Sequence, residues 1–315
     1  MSSSLFRAYV IAVFVWLISI VFALNFGAVD SPALDLIIQL RLPRVILASA
    51  VGMGLAVAGA ILQALFSNPL CEPYTLGISS GAALGAVLGG AIGFQMSFSG
   101  IAGSAFFGSL LFASVLYFIS LKSSNNLLTV LLGGVMLGFL GSSLVALWMA
   151  LADANGIQGA LFWLLGDLSR ARMTGSIIAL IVISFLTLML WFRWRDLDGL
   201  LVGEEGARTL GINVFSVRRT LILLTSLLVG ICVSAGGMIG FVGLVVPHFV
   251  RKIVGSMHFN VIPLCALWGA STLTFADALT RFMVSPHELP VGVVTALIGA
   301  PLFLWIMLQQ KERSL

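Results

Sequence analysis

The chain has 315 residues, 60% of them hydrophobic and only 9% charged, with a mean hydropathy of +1.13. Soluble domains carry roughly 25% charged residues, so this composition excludes a sizeable soluble domain and defines a polytopic membrane protein. The net charge of +4 arises from 16 basic residues, set singly or in pairs, against 12 acids, which is not the basic stripe of a nucleic-acid binder.

Residues 1–27 combine Arg7 with an apolar core and no small-x-small cleavage site, and read as a retained first helix rather than a leader. Between Arg44 and Glu72 lie 27 residues without a formal charge. At about 1.5 Å per residue they span roughly 40 Å as a helix, enough to cross a hydrocarbon core of about 30 Å with tilt. Arg41-Leu-Pro-Arg44 leads into this run, and Asn68-Pro-Leu-Cys-Glu-Pro73 leaves it. Gly77, Gly81, Gly85, Gly89 and Gly93 then recur every fourth residue, a spacing that lets a second helix backbone come close, as packing in lipid requires. Continuing along the chain, the pattern predicts an all-α protein of about ten transmembrane helices in a single domain, residues 1–315. The spans fall near 8–26, 36–66, 75–95, 100–120, 127–151, 174–192, 215–236, 239–254, 260–280 and 290–309. Trp16, Trp191, Trp194 and Trp305 lie near span ends, as interface anchors do.

An even count places both termini on one side. That side holds Arg7, Lys122, Arg193, Arg195, Arg208, Arg218, Arg219, Arg251, Lys252, Lys311 and Arg313, and the other Arg41, Arg44, Arg170, Arg172 and Arg281. The asymmetry puts the termini in the cytoplasm. The longest polar stretch, about 196–213, is then cytoplasmic; helix formers dominate Glu204 to Leu210, Gly203 and Gly211 bracket them, and a short surface helix is predicted there. Gly59 precedes Pro69 by ten residues, as Gly237 precedes Pro247, a faint echo of the inverted repeats found in transporters.

Several chemistries are missing. The three lysines (Lys122, Lys252 and Lys311) sit in no GxxxxGK[ST] loop, so the chain has no phosphate-binding loop for ATP. His248, His258 and His287 are isolated, and Cys71, Cys232 and Cys265 are far apart and read as apolar fillers, so no metal, cofactor or catalytic set is expected. Asp277 is the one acid within a span, one turn from Arg281; ion-coupled carriers place such groups near the midplane, and cation channels carry acidic rings. Energy for uphill transport would have to come from outside this chain.

An ordered series of motifs extends from about residue 36 to 309: Arg41-Leu-Pro-Arg44, Gly59-Ala-Ile-Leu-Gln63, Asn68-Pro-Leu70, Leu76-Gly-Ile-Ser-Ser-Gly-Ala82, Gly240-Phe-Val-Gly-Leu-Val-Val-Pro-His248, Leu289-Pro-Val-Gly292 and Gly299-Ala-Pro-Leu-Phe303. The series resembles the FecCD family, permease subunits of ATP-binding-cassette importers for iron siderophores, haem and vitamin B12. That resemblance implies a non-catalytic homodimer of ten-helix subunits, with a path at the dimer interface. Two cytoplasmic ATPase subunits and a periplasmic binding protein would complete it in the bacterial inner membrane.

Residue by residue, the resemblance makes Gly203, Glu204, Glu205, Arg208, Leu210 and Gly211 the segment that meets the ATPase. Arg41, Arg44 and Arg281 become docking arginines for the binding protein, a role that the bidentate guanidinium suits. Asn68, Pro69 and Leu70, with Asn126, Leu127 and Leu128, become the cytoplasmic gate. The chain departs from the family at Gly255-Ser-Met-His-Phe259, where an Asp and an Arg are expected, and in a short outer loop near 27–35. The cargo expected is a bulky metal chelate, an iron siderophore or haem, with cobalamin as the alternative; an ion-coupled secondary transporter and a non-transporting scaffold are the other classes weighed.

Overall fold

The computed structural model of the protein describes residues 3–26, 34–92, 98–123, 126–283 and 288–312. Among these residues all regular structure is helical. The elements are α1 (Ser3–Asn25), α2 (Leu34–Leu65), α3 (Ile78–Ala91), α4 (Phe98–Lys122), α5 (Leu127–Leu151), α6 (Ala154–Leu164), α7 (Met173–Trp191), α8 (Trp194–Leu200), α9 (Glu204–Thr209), α10 (Val214–Gly236), α11 (Val242–Val254), α12 (His258–Met283) and α13 (Val291–Glu312). A single 3-10 turn, Pro73–Leu76, precedes α3.

Helix α2 is the axis. Of its most apolar stretch 89% is buried, against 11% for α1, and it packs on α7, α10, α11 and α12. Lipid offers no hydrophobic drive to join helices, so close approach must do it, and small residues on α2 allow that. Gly59 lies on the backbone of Gly243 in α11, and Gly52 on that of Gly269 in α12. A proline, Pro43, sits just inside the regular part of α2; it removes a backbone donor, and the preceding turn, Ile37–Arg41, winds as a π-helix. The glycine ladder works as spacing demands over its described part: Gly81 and Gly85 meet Gly108 and Ser104 of α4, and Gly77 meets Gly134 of α5. Gly93, the last rung, lies outside the described residues. Cys71, Cys232 and Cys265 are free and buried, as fillers are.

Among the described residues seven helices are long and apolar enough to cross a membrane: those beginning at Ser4, Leu34, Gly100, Leu127, Met173, Val214 and His258. Of the other three predicted spans, α3 and α11 are short helices of 14 and 13 residues, each preceded by an irregular segment, and α13 runs from Val291 to Glu312. Helix α6 has no counterpart among the predicted spans; its N-cap is Asp153, whose carboxylate accepts the Gly156 N–H. The echo between residues 59–69 and 237–247 falls in unlike elements, since α2 continues past Gly59 whereas Gly237 lies in the break before α11.

A Cβ at Gly59 would be driven into the Gly243 carbonyl, whereas a Cβ at Gly103 meets nothing within 4 Å. Gly59→Ala is expected to cost about 1–3 kcal/mol through overpacking, and Gly103→Ala to be neutral or mildly stabilising within about 1 kcal/mol. Thermal unfolding of both variants in the same detergent checks the contrast.

Candidate functional site

Polar side chains gather at two ends of the bundle, with a broken middle between them. At the first end Arg44 of α2 donates Nε to both carboxylate oxygens of Asp277 in α12, at 2.8 and 3.0 Å, and Nη1 to Glu288 at 2.6 Å. Arg281 lies one turn beyond Asp277, 3.3 Å from its second oxygen, and donates to the carbonyl of Ala23. Arg41 donates to the carbonyls of Leu24 and Asn25 at 2.7 and 2.8 Å. Two guanidinium groups therefore satisfy the last carbonyls of α1, the negative end of its dipole.

Arg41, Arg44 and Arg281 are all buried, at 8%, 8% and 4% exposure. Within the chain their acceptors are Asp277, Glu288 and the carbonyls that end α1. A guanidinium this far from water must be paired inside the protein. Glu288, the most exposed member of the set, was not singled out by sequence reasoning.

At the opposite end α2 stops at Leu65. Ser67 takes φ +47°, the Asn68 N–H returns to the Gln63 carbonyl at 3.1 Å, and the Asn68 side chain accepts the Leu70 N–H at 2.9 Å. Pro69 and Leu70 are exposed. Asn126 caps α5 by accepting the N–H groups of Leu128 and Thr129 at 3.1 and 3.4 Å; Leu127 is half-buried and Leu128 exposed. Among the described residues no hydrogen bond joins these two stretches.

The polar stretch 196–213 forms α8 and α9. Gly203 and Gly211 take φ +91° and +78°, conformations that other residues rarely adopt, and so turn the chain sharply at each end of α9. Glu204 pairs with Arg208 at 2.7 Å and with Arg218 of α10 at 2.9 Å, and Arg208 also lies over the Phe215 ring. Ala207 is buried, Glu205 is exposed, and Val202 and Leu210 project with 67% and 65% exposure. Asp198 of α8 anchors this unit to α12, accepting the His258 N–H at 2.8 Å and contacting its Nδ1 at 2.7 Å. His258 is buried; His287 lies outside the described residues.

In the middle, the segment after α6 shares backbone hydrogen bonds with the last residue of α10 and the first two residues of α13. Asp167 N–H reaches the Gly236 carbonyl at 3.1 Å, Gly292 N–H that of Leu165 at 3.0 Å, and Val291 N–H that of Gly166 at 3.2 Å. Groups freed by breaking helices are thus re-satisfied within the protein. Beside them lie two cavities of about 410 Å³ that share Tyr74 and Met238, one almost wholly apolar and the other lined by Glu72, Thr75, Ser79, Ser80 and Ser142. Among the described residues no group of three or more His, Cys, Asp or Glu is placed to hold a metal ion.

Apolar spans interrupted within the bundle and re-bonded around cavities define a multi-pass membrane transport protein. Residues 3–309 match the FecCD transport family, and the chain belongs to that family. It is 39% identical over 281 residues to the hemin transport system permease HmuU of Yersinia pestis, covering 88% of this chain and 84% of the relative. It is 37% identical over 289 residues to the vitamin B12 import permease BtuC of Vibrio cholerae, covering 91% and 87%. A solved chain from an inward-facing transporter described as being of metal-chelate ABC type superposes with a TM-score of 0.86 at 32% identity, over 95% of this chain and 97% of that one. The family is one of permease subunits, in which ATP hydrolysis belongs to partner subunits.

Asp277→Ala removes the carboxylate shared by two buried guanidinium groups. It is expected to cost about 3–5 kcal/mol, more than Glu288→Gln at the half-exposed edge of the set, as read by denaturant titration of the purified protein in detergent.

Proposed function

We propose that this chain is the membrane subunit of an ATP-driven importer passing a bulky metal chelate, an iron siderophore or haem, from periplasm to cytoplasm across the bacterial inner membrane. The 39% identity to a hemin permease carries the reading, and the likeness to a metal-chelate type transporter supports it. Cobalamin is the second reading, favoured by the 37% identity to a vitamin B12 permease.

In this reading residues 1–315 form one transmembrane domain. The seven long helices together with α3, α11 and α13 make ten spans, so both termini are cytoplasmic. Two copies form a homodimer around the path, with two ATPase subunits beneath and a periplasmic binding protein above. The coupling segment, about 196–213, presents Leu210 and Val202 as exposed apolar knobs. Glu205 is its free-standing acid, and Glu204 and Arg208 hold α9 to α10. Asn68, Pro69 and Leu70, with Asn126, Leu127 and Leu128, form the cytoplasmic gate; among the described residues both asparagine side chains bond to local backbone, so the stretches can part without breaking an ion pair. The binding protein docks on the end shaped by Arg41, Arg44 and Arg281.

The test is reconstitution in liposomes with the ATPase and binding protein, following uptake of hemin and of cyanocobalamin. ATP-dependent uptake of one of them is expected; accumulation by this chain alone on a proton or sodium gradient would replace the reading with a secondary transporter. Leu210→Asp is expected to reduce copurification of the ATPase roughly tenfold, the effect of truncating an interface anchor, and Arg208→Glu to weaken it less, both with the permease still folded by size-exclusion chromatography. For the gate, a cysteine at Leu128 leaves the Asn126 cap intact and should crosslink across the dimer in a nucleotide-dependent way; crosslinking indifferent to nucleotide would leave Asn126 as a helix cap alone.

A further inference from the structure

Two sets of polar contacts, joined by a three-residue link between α11 and α12, run from α8 to the turn that ends α2. The first begins with Asp198, which holds the first turn of α12 through the backbone and ring of His258. Only Gly255, Ser256 and Met257 separate that turn from the end of α11, so α11 is carried with it. In the last turn of α11, Arg251 donates Nη2 to the Ala60 carbonyl at 3.0 Å and Nη1 to the Gln63 side-chain oxygen. Gln63 is the hub. Its amide nitrogen faces the carbonyls of Gly243 and Leu244 at 3.4 and 3.3 Å, and its own carbonyl receives the Asn68 N–H.

We propose that Arg251 and Gln63 are positioning residues that make the turn at Asn68, Pro69 and Leu70 follow movements of the coupling segment. The inference rests on the gate and coupling assignments above. Three observations carry it. Among the described residues no carboxylate pairs with Arg251: this guanidinium is held by neutral acceptors on the final turn of α2, where the helix dipole favours a cation. An apolar side chain would fill the same space without the desolvation cost, so packing alone does not call for arginine here. Next, the start of α11 is fastened to the same region, because Gly243 lies against both Gly59 and Pro73. The end of α2, its turn and α11 are therefore tied at both extremities of α11. Lastly, the Asn68 N–H bonds the main-chain carbonyl of Gln63, so a shift of the α2 turn that the Gln63 side chain holds is passed to the first gate residue.

Contiguity alone does not demonstrate coupling, so the decisive measurement is of movement. The complete transporter is reconstituted with a spin label at Leu70, and the label-to-label distance is read with and without ATP, beside ATP hydrolysis, ATPase copurification and uptake of hemin and cyanocobalamin. Gln63→Leu is expected to keep copurification and hydrolysis, lose the ATP-dependent distance change, and lower uptake per ATP roughly tenfold, the scale of coupling between distant sites. Gln63→Glu, which can still accept from Arg251, should retain the distance change, and Arg251→Gln should lose it. A Gln63→Leu transporter whose labels move like the unsubstituted protein's overturns the proposal. So does a parallel fall of hydrolysis, copurification and uptake at unchanged uptake per ATP, which marks Gln63 as structural only. A label that never moves in the unsubstituted transporter overturns the gate reading, and this proposal with it.

Discussion

A helix enclosed by other helices in a medium without water can be held in only two ways: by backbones that come nearly into contact, and by polar groups paired inside the protein. Helix α2 uses both. Along its length Gly52 and Gly59 bring it against α12 and α11, and toward its N-terminal end Arg44 binds Asp277 through both carboxylate oxygens. Removing such ions from water costs several kcal/mol each, and the cost is recovered only when every partner is present. Here Glu288 and Arg281 complete the set, and Arg281 and Arg41 extend it to the end of α1.

The broken helices obey the same constraint. Interrupting a span frees backbone donors and acceptors that lipid cannot satisfy. In this bundle the interruptions lie together, so that the segment after α6 bonds to the last residue of α10 and the first two residues of α13. Gathering the breaks leaves two adjoining cavities at their edge, one of them lined with hydroxyl groups. A large solute could not meet such groups on an uninterrupted apolar helix. Transport function thus has a structural cost, and the shared backbone bonds offset it.

Much of this organisation was legible from residue order. The charge-free run from Arg44 to Glu72 marked the central helix, the four-residue glycine period marked the α3–α4 contact, and the glycines at 203 and 211 marked the ends of α9. These are local signals, carried by neighbours within one or two turns. The ion set was only half legible: Asp277 and Arg281 sit a turn apart and drew attention, but the pairing of Asp277 with Arg44 spans 233 positions. For that reason the outer arginines read as exposed contacts, although the fold buries them. Arg251 was counted among the cytoplasmic charges for its flank position, with no local sign that it bonds back to Gln63. Helix α6 escaped because its 11 residues are too few for a span and its period is interrupted by Gly156 and Gly159.

The long-range pairing toward the N-terminal end of α2 also dictates an order of events during biogenesis. Arg41 and Arg44 leave the ribosome early, whereas the acid that neutralises Arg44 lies on the penultimate membrane helix, and Ala23 waits 258 positions for its guanidinium. Until α12 is inserted, the nascent bundle holds Arg44 without its aspartate and the Ala23 carbonyl without its guanidinium. A chain interrupted before that point is an electrostatically unfinished object, distinguishable from the completed protein by charge alone. The arrival of one aspartate therefore marks the moment at which the first and last thirds of the polypeptide become a single body.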